Sequence, residues 1–310
     1  MKITVIGMVK NAADVIETFI RANGCFADNF AIIDNNSTDN TLFILKKLKE
    51  EGYDITIYSD TENAYLQSAK MNMLISKVIK DFSPDWIVPL DDDEILTSTT
   101  TRTVREIIST WDKNDSYYAK WRIYTPTEED DYNEICVAKR QKFHFSDSLV
   151  SQKKVIFSSS TASNENFRIV QGNHYYIGSD SIQKDQEELI ISHYPVRSEE
   201  QIISKALVGW TNYLAMPNKA EGNGGHWQVI YNQYKEHFKI DIDMMWKICM
   251  MYLRSDLTLD KINVEFMPAN IEESATSIKY TSKYEINPFL NYINNTEQLA
   301  ANYSSLLEKK

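Results

Sequence analysis

The chain has 310 residues, with 33 basic and 44 acidic side chains and a net charge of −11 at neutral pH. Hydrophobic residues make up 43% and charged ones 25%, which excludes a disordered or fibrous chain and allows one large domain or two unequal ones. The acidic balance argues against a partner made of nucleic acid, which needs a basic footprint, though a local basic pocket for one small anion stays open.

The first hundred residues alternate between strand and helix patterns. Ile3–Val9 is a compact apolar run, followed by a helical face of Val15, Ile16, Phe19 and Ile20. Phe30–Ile33 is a second strand and stops in a polar cluster at 34–39. The next helix carries Leu42, Ile44, Leu45 and Leu48, with Gly52 placed to end it. Ile55–Tyr58 is a third strand, 65–79 a helix, and Trp86–Leu90 a fourth strand that ends at four consecutive acids. Buried strands separated by amphipathic helices predict a parallel sheet covered on both faces, with ligands at the carboxyl ends of the strands. Both acid-rich clusters, 34–39 and 91–94, fall at such ends.

Between 112 and 190 the apolar runs shorten, and Tyr117–Ile123, Val155–Phe157 and Phe167–Val170 predict further strands with antiparallel pairing, added to the first sheet. After 195 the chain turns helical. Ser198 with Gln201 resembles a capping box ahead of Ile202, Ile203, Ala206, Leu207 and Trp210. A loop at 217–226 suits a segment that orders over a ligand; a helical region at 227–253 and a terminal helix over 291–310 follow. The expected division is a catalytic unit at 1–195 and a mainly helical extension at 196–310.

Cys25, Cys136 and Cys249 are far apart and form neither a disulfide framework nor a zinc module, which points to a reducing, cytoplasmic location. The start reads as a strand rather than a signal peptide. No stretch reaches the roughly 20 apolar residues that cross a bilayer. Residues 244–253 are the most apolar run, interrupted by Lys247, and leave open a peripheral contact at the inner face of a membrane.

The row Asp91-Asp92-Asp93-Glu94 repels itself unless something positive neutralises it, and Mg²⁺ or Mn²⁺ is a natural neutraliser that also bridges to diphosphate. In an extended chain Asp91 and Asp93 address one site and Asp92 faces elsewhere; the plainer alternative is an acidic turn capping a helix that begins near Ser98. On this reading, removing the Asp93 charge relieves repulsion and leaves the fold intact. Asp34 is placed to accept hydrogen bonds from a base or ribose, while Ser37 or Asp39 caps the following helix. GxGxxG, GxxxxGK[ST] and GxSxG patterns are missing from the chain, which disfavours dinucleotide-dependent oxidation, P-loop phosphoryl transfer and elbow-type serine hydrolysis. His174 and His193 follow strand-like segments that enter a cleft, and a strand-end histidine bonded to backbone is an equal reading of His193. Trp210, Trp227, Tyr175 and Tyr176 are candidate stacking surfaces.

Four segments carry a resemblance: Val9-Lys10-Asn11; Ile33-Asp34-Asn35-Asn36-Ser37-Thr38-Asp39-Asn40-Thr41; Pro89-Leu90-Asp91-Asp92-Asp93-Glu94-Ile95; and Ser192-His193-Tyr194-Pro195-Val196-Arg197-Ser198 leading to Gln201, Lys205 and Gly209. The chain resembles nucleotide-sugar-dependent glycosyltransferases of the GT-A fold, family 2 type and relatives. The resemblance implies a Rossmann-like α/β fold with a mostly parallel central sheet, helices on both faces and a helical C-terminal region. It implies a metal-dependent inverting transfer from a UDP-sugar to a hydroxyl of a glycan or lipid-linked glycan, as in surface polysaccharide or glycoprotein glycan synthesis. Mn²⁺ or Mg²⁺ is the implied cofactor. Implied donor-binding residues are Val9, Asn11, Asp34, Asn36, Lys70, Asp91, Asp92 and His193, with Asp93 and His174 at the metal and Trp210 and Trp227 as acceptor or lid residues. The Glu-Asp pair that heads a helix in that family is missing, which leaves Asp147, Glu165 and Asp180 as candidates for the general base. A nucleotidyltransferase and a non-catalytic sugar-binding protein on the same fold are the alternatives.

Overall fold

The computed structural model describes residues 1–62, 66–216, 225–254, 262, 264–282 and 286–308, with side chains to 305. Its first half alternates as β1 (Ile3–Val9), α1 (Ile16–Asn23), β2 (Asn29–Asp34), α2 (Thr41–Glu50), β3 (Ile55–Ser59), α3 (Gln67–Phe82) and β4 (Trp86–Pro89). These four strands lie parallel in the order β3-β2-β1-β4. Their runs are apolar at successive positions because both faces are covered. Ile3, Val5 and Ile32 pack with the buried residues of α1 and α2, while Ile6, Ala31 and Ile33 pack with Met71, Leu74 and Val78 of α3. Alternation across the strand sends neighbours to opposite cores.

The chain continues with β5 (Glu94–Ser98), α4 (Val104–Ile108), β6 (Ser116–Ile123), α5 (Val137–Arg140), β7 (Phe143–Phe145), β8 (Lys153–Ser158), α6 (Ser159–Ala162), β9 (Arg168–Ile169), β10 (Tyr176–Ile177) and β11 (Gln183–His193). Beyond β4 the sheet extends as β8-β6-β11-β5. β8 runs antiparallel to β4 and β6, and β5 antiparallel to β11, so the expected antiparallel pairing is present. The segment at Ser98 departs from expectation: it closes a strand and starts no helix, and α4 begins later behind a Thr103–Glu106 capping box. Glu94–Ser98 is buried at every residue and pairs with Leu189–His193, a partner far along the chain that local pattern cannot supply.

After β11 come α7 (Glu199–Leu214), α8 (Gly225–His237), α9 (Ile242–Met250), β12 (Val264–Phe266), which pairs with β7, and α10 (Pro288–Glu308). The predicted helical region at 227–253 is two helices. Phe238, at φ 56, turns the chain out of α8, and the Asp241 carboxylate accepts the Met244 N–H at 3.0 Å to start α9. Of the loop at 217–226, residues 217–224 lie outside those described, and Gly225 and His226 already belong to α8. α10 starts at a proline, whose missing N–H costs nothing in a first turn. The tail is also tied to the first helix. Glu17 of α1, 0% exposed, accepts the successive backbone N–H groups of Lys279, Tyr280 and Thr281, each at 2.8 Å, and the Arg21 guanidinium. No described helix is long and apolar enough to cross a membrane.

Candidate active site

A cavity of about 440 Å³ opens at the carboxyl end of the parallel strands. Its floor is the end of β1 and the start of the following turn, Met8 to Asn11, with Asn35 beside it. Asn11 takes φ 52, its N–H donates to Ser37 Oγ at 3.0 Å, and its side-chain oxygen accepts the Thr38 N–H at 2.8 Å. The two loops after β1 and β2 are thereby one unit. Lys10 donates to the Asn35 carbonyl at 2.9 Å, and burial pulls its ammonium down to about 8.

Asp91, Asp92 and Asp93 all line the cavity. Gly7 admits the row, since a Cβ there would stand 2.8 Å from the Leu90 carbonyl oxygen. The row is a turn rather than an extended chain: the Glu94 N–H donates to the Asp91 carbonyl at 3.1 Å, and the Glu94 carboxylate accepts the Asp91 N–H at 2.8 Å. Period-two alternation therefore fails, Asp92 faces the cavity, and Asp91 and Asp93 have separate partners. Asp91 meets the fully buried Lys154 at 2.7 Å and accepts from Gln67 at 3.2 Å. Lys154 also holds Glu94 at 2.6 Å, and these two acids overcome its burial to keep it charged. One lysine cannot neutralise two carboxylates, and burial leaves the Glu94 carboxyl pushed up to about 8. Asp92 is pushed to about 7 by burial and by Asp93.

Asp93 is held differently. Burial alone would raise its carboxyl, but Lys205 at 2.9 Å, His193 at 3.4 Å and Arg197 at 3.4 Å outweigh that and hold it well below the usual range. His193 thus binds a carboxylate rather than backbone, and burial keeps its imidazole neutral to lower pH than usual. Arg197 is anchored a second time by Asp14, at 2.6 and 3.1 Å. The Gln201 side chain accepts the Arg197 N–H at 3.0 Å while Ser198 Oγ accepts the Gln201 N–H at 3.1 Å, so the predicted cap is present with its return bond moved by one residue.

His174 stands on the other side of Trp121, whose ring touches both histidines. Its Nδ1 donates to the Lys153 carbonyl at 2.9 Å, which leaves Nε2 as the lone-pair nitrogen; Lys154 and Asp91 are its charged neighbours. It lies nearer the Asp91 end of the row than the Asp93 end. Among the described residues, no three His, Cys, Asp or Glu side chains stand together at ligand spacing.

Of the other expected residues, Val9 and Trp227 line the cavity. Asp34 is buried at the end of β2 behind Asn35, raised by burial, and accepts the Ser37 N–H at 3.3 Å. Asn36 takes φ 58 beside it, and Lys70 is bound to Asp60 at 2.5 Å; neither lines the cavity. Trp210 is stacked on Tyr213 away from it. Tyr176 belongs to the core, against Phe157 and Phe167, and Tyr175 is exposed outside the cavity. The three base candidates also lie outside the cavity: Asp147 is exposed and bound to Arg122, Glu165 lines a separate groove, and Asp180 is exposed.

The wall opposite the acids is one face of α7: Gln201, Ser204, Lys205, Val208, Gly209 and Asn212. Their spacing of three and four is the helix period, legible in the sequence once 199–214 is taken as a helix. Trp227 of α8 lies flat against Gly209, where a Cβ would come within 2.8 Å of the indole. With Trp121, Tyr252 and His226 it makes the aromatic end of the cavity.

The sequence model of glycosyl transferase family 2 matches residues 4–163, which span the four parallel strands, the acid row and β8. The chain belongs to glycosyl transferase family 2. It is a glycosyltransferase-type enzyme with a GT-A core. Among solved structures it is similar to the mannosyltransferase PcManGT of Pyrobaculum calidifontis in complex with GDP-Man and Mn²⁺, with 13% identity, 81% of this chain and 73% of that chain covered, and a TM-score of 0.40. It is similar as well to glucosyl-3-phosphoglycerate synthase of Mycobacterium tuberculosis in complex with Mn²⁺, UDP and glucosyl-3-phosphoglycerate, with 16% identity, 52% and 57% covered, and a TM-score of 0.29. No curated protein matches the chain.

Proposed function

We propose that the cavity binds a nucleoside-diphosphate sugar, a UDP-sugar first among candidates, and that the enzyme transfers the sugar with inversion to a hydroxyl of a glycan or lipid-linked glycan. The observation that carries this is the meeting, at the carboxyl ends of β1, β2 and β4, of three cavity-lining carboxylates with the cations Arg197 and Lys205. On this reading residues 1–195 form the catalytic unit and α7 onward completes its wall.

The acid row fits a hard divalent cation. Burial and, after it, the neighbouring Asp93 carboxylate push the Asp92 carboxyl up to about 7, and a divalent cation between the two would offset both the burial and the repulsion. Mg²⁺-type sites commonly need only one or two carboxylates beside substrate phosphates, so the missing third side chain is no obstacle. Asp93 and Asp92 would hold the ion, and when bound it would supply counter-charge to the departing diphosphate. The chain's own groups do the rest. The paired loops at Asn11 and Asn35 fix the floor on which the nucleoside rests, and buried Asp34 holds that turn in shape through the Ser37 N–H. Trp227, Trp121 and Tyr252 offer apolar faces to an acceptor sugar and exclude water from the reacting carbon.

The test is a panel of nucleotide sugars scored with and without Mn²⁺ for release of nucleoside diphosphate, followed by NMR of the product anomer with an accepted acceptor. Release of nucleoside diphosphate and an inverted product support the reading. Pyrophosphate release would make the enzyme a nucleotidyltransferase, and no turnover of any donor would overturn the reading.

A further inference from the structure

Asp93 joins the acidic and cationic walls, and the groups on it differ in freedom. Its Oδ2 accepts Lys205 Nζ at 2.9 Å and Arg197 Nη1 at 3.4 Å, while His193 Nε2 faces Oδ1 at 3.4 Å. Arg197 is buried and clamped by Asp14, and His193 is packed against Trp121 and Tyr252. Lys205 is unlike both. It hangs from α7 on a flexible four-carbon stem, 36% of its side chain is exposed, and it lines the cavity. A divalent cation that takes Oδ2 as a ligand meets an ammonium already on that oxygen. Two like charges on one carboxylate oxygen repel, and the lysine is the one that can swing.

Resting on the donor-site reading above, we propose that Lys205 is a built-in counter-ion that exchanges with the divalent cation. The cation takes Asp93, and the displaced ammonium turns to the diphosphate in the same cavity. Lys205 thereby opposes metal binding when no nucleotide is present and favours nucleotide binding once metal is in place. Metal and nucleotide then tighten each other reciprocally, as linkage requires.

The measurement is Mn²⁺ affinity without nucleotide, from the electron paramagnetic resonance signal of free Mn²⁺, and UDP affinity at saturating Mn²⁺ by calorimetry. Lys205→Met should bind Mn²⁺ alone about tenfold more tightly and UDP about tenfold more weakly, opposite signs that misfolding would not produce. Lys205→Arg, which keeps the charge, should resemble wild type in both. In wild type, which needs no variant, UDP should raise Mn²⁺ affinity by about tenfold. Unchanged or weaker Mn²⁺ binding in Lys205→Met, or independent binding of the two ligands to wild type, overturns the exchange. Failure of wild type to bind UDP at saturating Mn²⁺ removes the donor reading itself, whereas normal binding of both ligands by wild type and Lys205→Met alike removes this inference alone.

Discussion

The two acid clusters at the strand ends look alike in sequence and are neutralised by opposite means. At 34–39 the carboxylates are met mainly by nearby backbone. Asp39 accepts the N–H groups of Thr41 and Ala13 at 3.0 and 3.1 Å and the Thr41 hydroxyl at 2.6 Å, and Asp34 accepts the Ser37 N–H. At 91–94 the charge is met by Lys154, Arg197 and Lys205, all supplied by distant elements. Amide donors are fixed partial charges that build a turn. Side-chain cations are whole charges that can be lost, moved or exchanged. On the proposed reading the first cluster is scaffold and the second is the one that meets the ligand.

If that distinction holds, the largest effect comes from removing the cation beneath the reactive row. Lys154→Met strips the cation from buried Glu94 and half-buried Asp91 and should cost about 3–5 kcal/mol in denaturant unfolding. Adding Glu94→Gln should recover part of it, and equal stability of the single and double variants would break the argument. Asp93→Asn comes next. The sequence alone suggests that it relieves repulsion, but in the structure Asp93 is the counter-ion of Arg197 and Lys205 and also faces the His193 imidazole. Its loss should lower stability by about 2–3 kcal/mol in metal-free buffer, with turnover abolished. A melting temperature at or above wild type would restore the repulsion view. On the scaffold side, Asp39→Ala removes a turn and helix-start acceptor and should cost only about 1–2 kcal/mol, with turnover changed far less than in Asp93→Asn.

The most gradual effect is a slope. Burial raises the Glu94 carboxyl to about 8, so from about pH 4.3, the ordinary glutamate value, up to about 8 the folded state retains a proton that the unfolded chain has lost. Stability from this group is full below that window and falls as pH rises through it. Glu94→Gln should flatten that part of the stability–pH curve in chelator-treated protein. An unchanged slope would show that Lys154 neutralises Glu94 after all.

What could be read from the sequence follows the same division. β1 to β4 and their helices were legible because their apolar periods are local, and so was the acid row, because four charges after a strand need an explanation anywhere. The direction of each carboxylate was not legible. It depends on a turn closed by the Glu94 N–H and on cations from β8 and α7, which no window around residue 92 contains. The helix start that the plainer alternative placed near Ser98 is a strand end for the same reason, since β5 pairs with β11. The α7 wall was half legible: Gln201, Lys205 and Gly209 stood at helical spacing, but nothing local showed that they faced Asp93. The three acids considered as base were chosen by position along the chain, and the fold carries each of them away from the cavity.

The Glu17 clamp has a consequence in time. Its three amide donors lie 262 to 264 residues further along. At roughly 5–20 residues per second of synthesis, the first helix waits on the order of 10–50 s before its buried carboxylate is fully bonded, with Arg21 of its own helix and Glu17 paired in the meantime. The segment at 279–281 thus acts as a closing stitch, and an unfinished chain leaves the ribosome's exit with its first helix still unfastened.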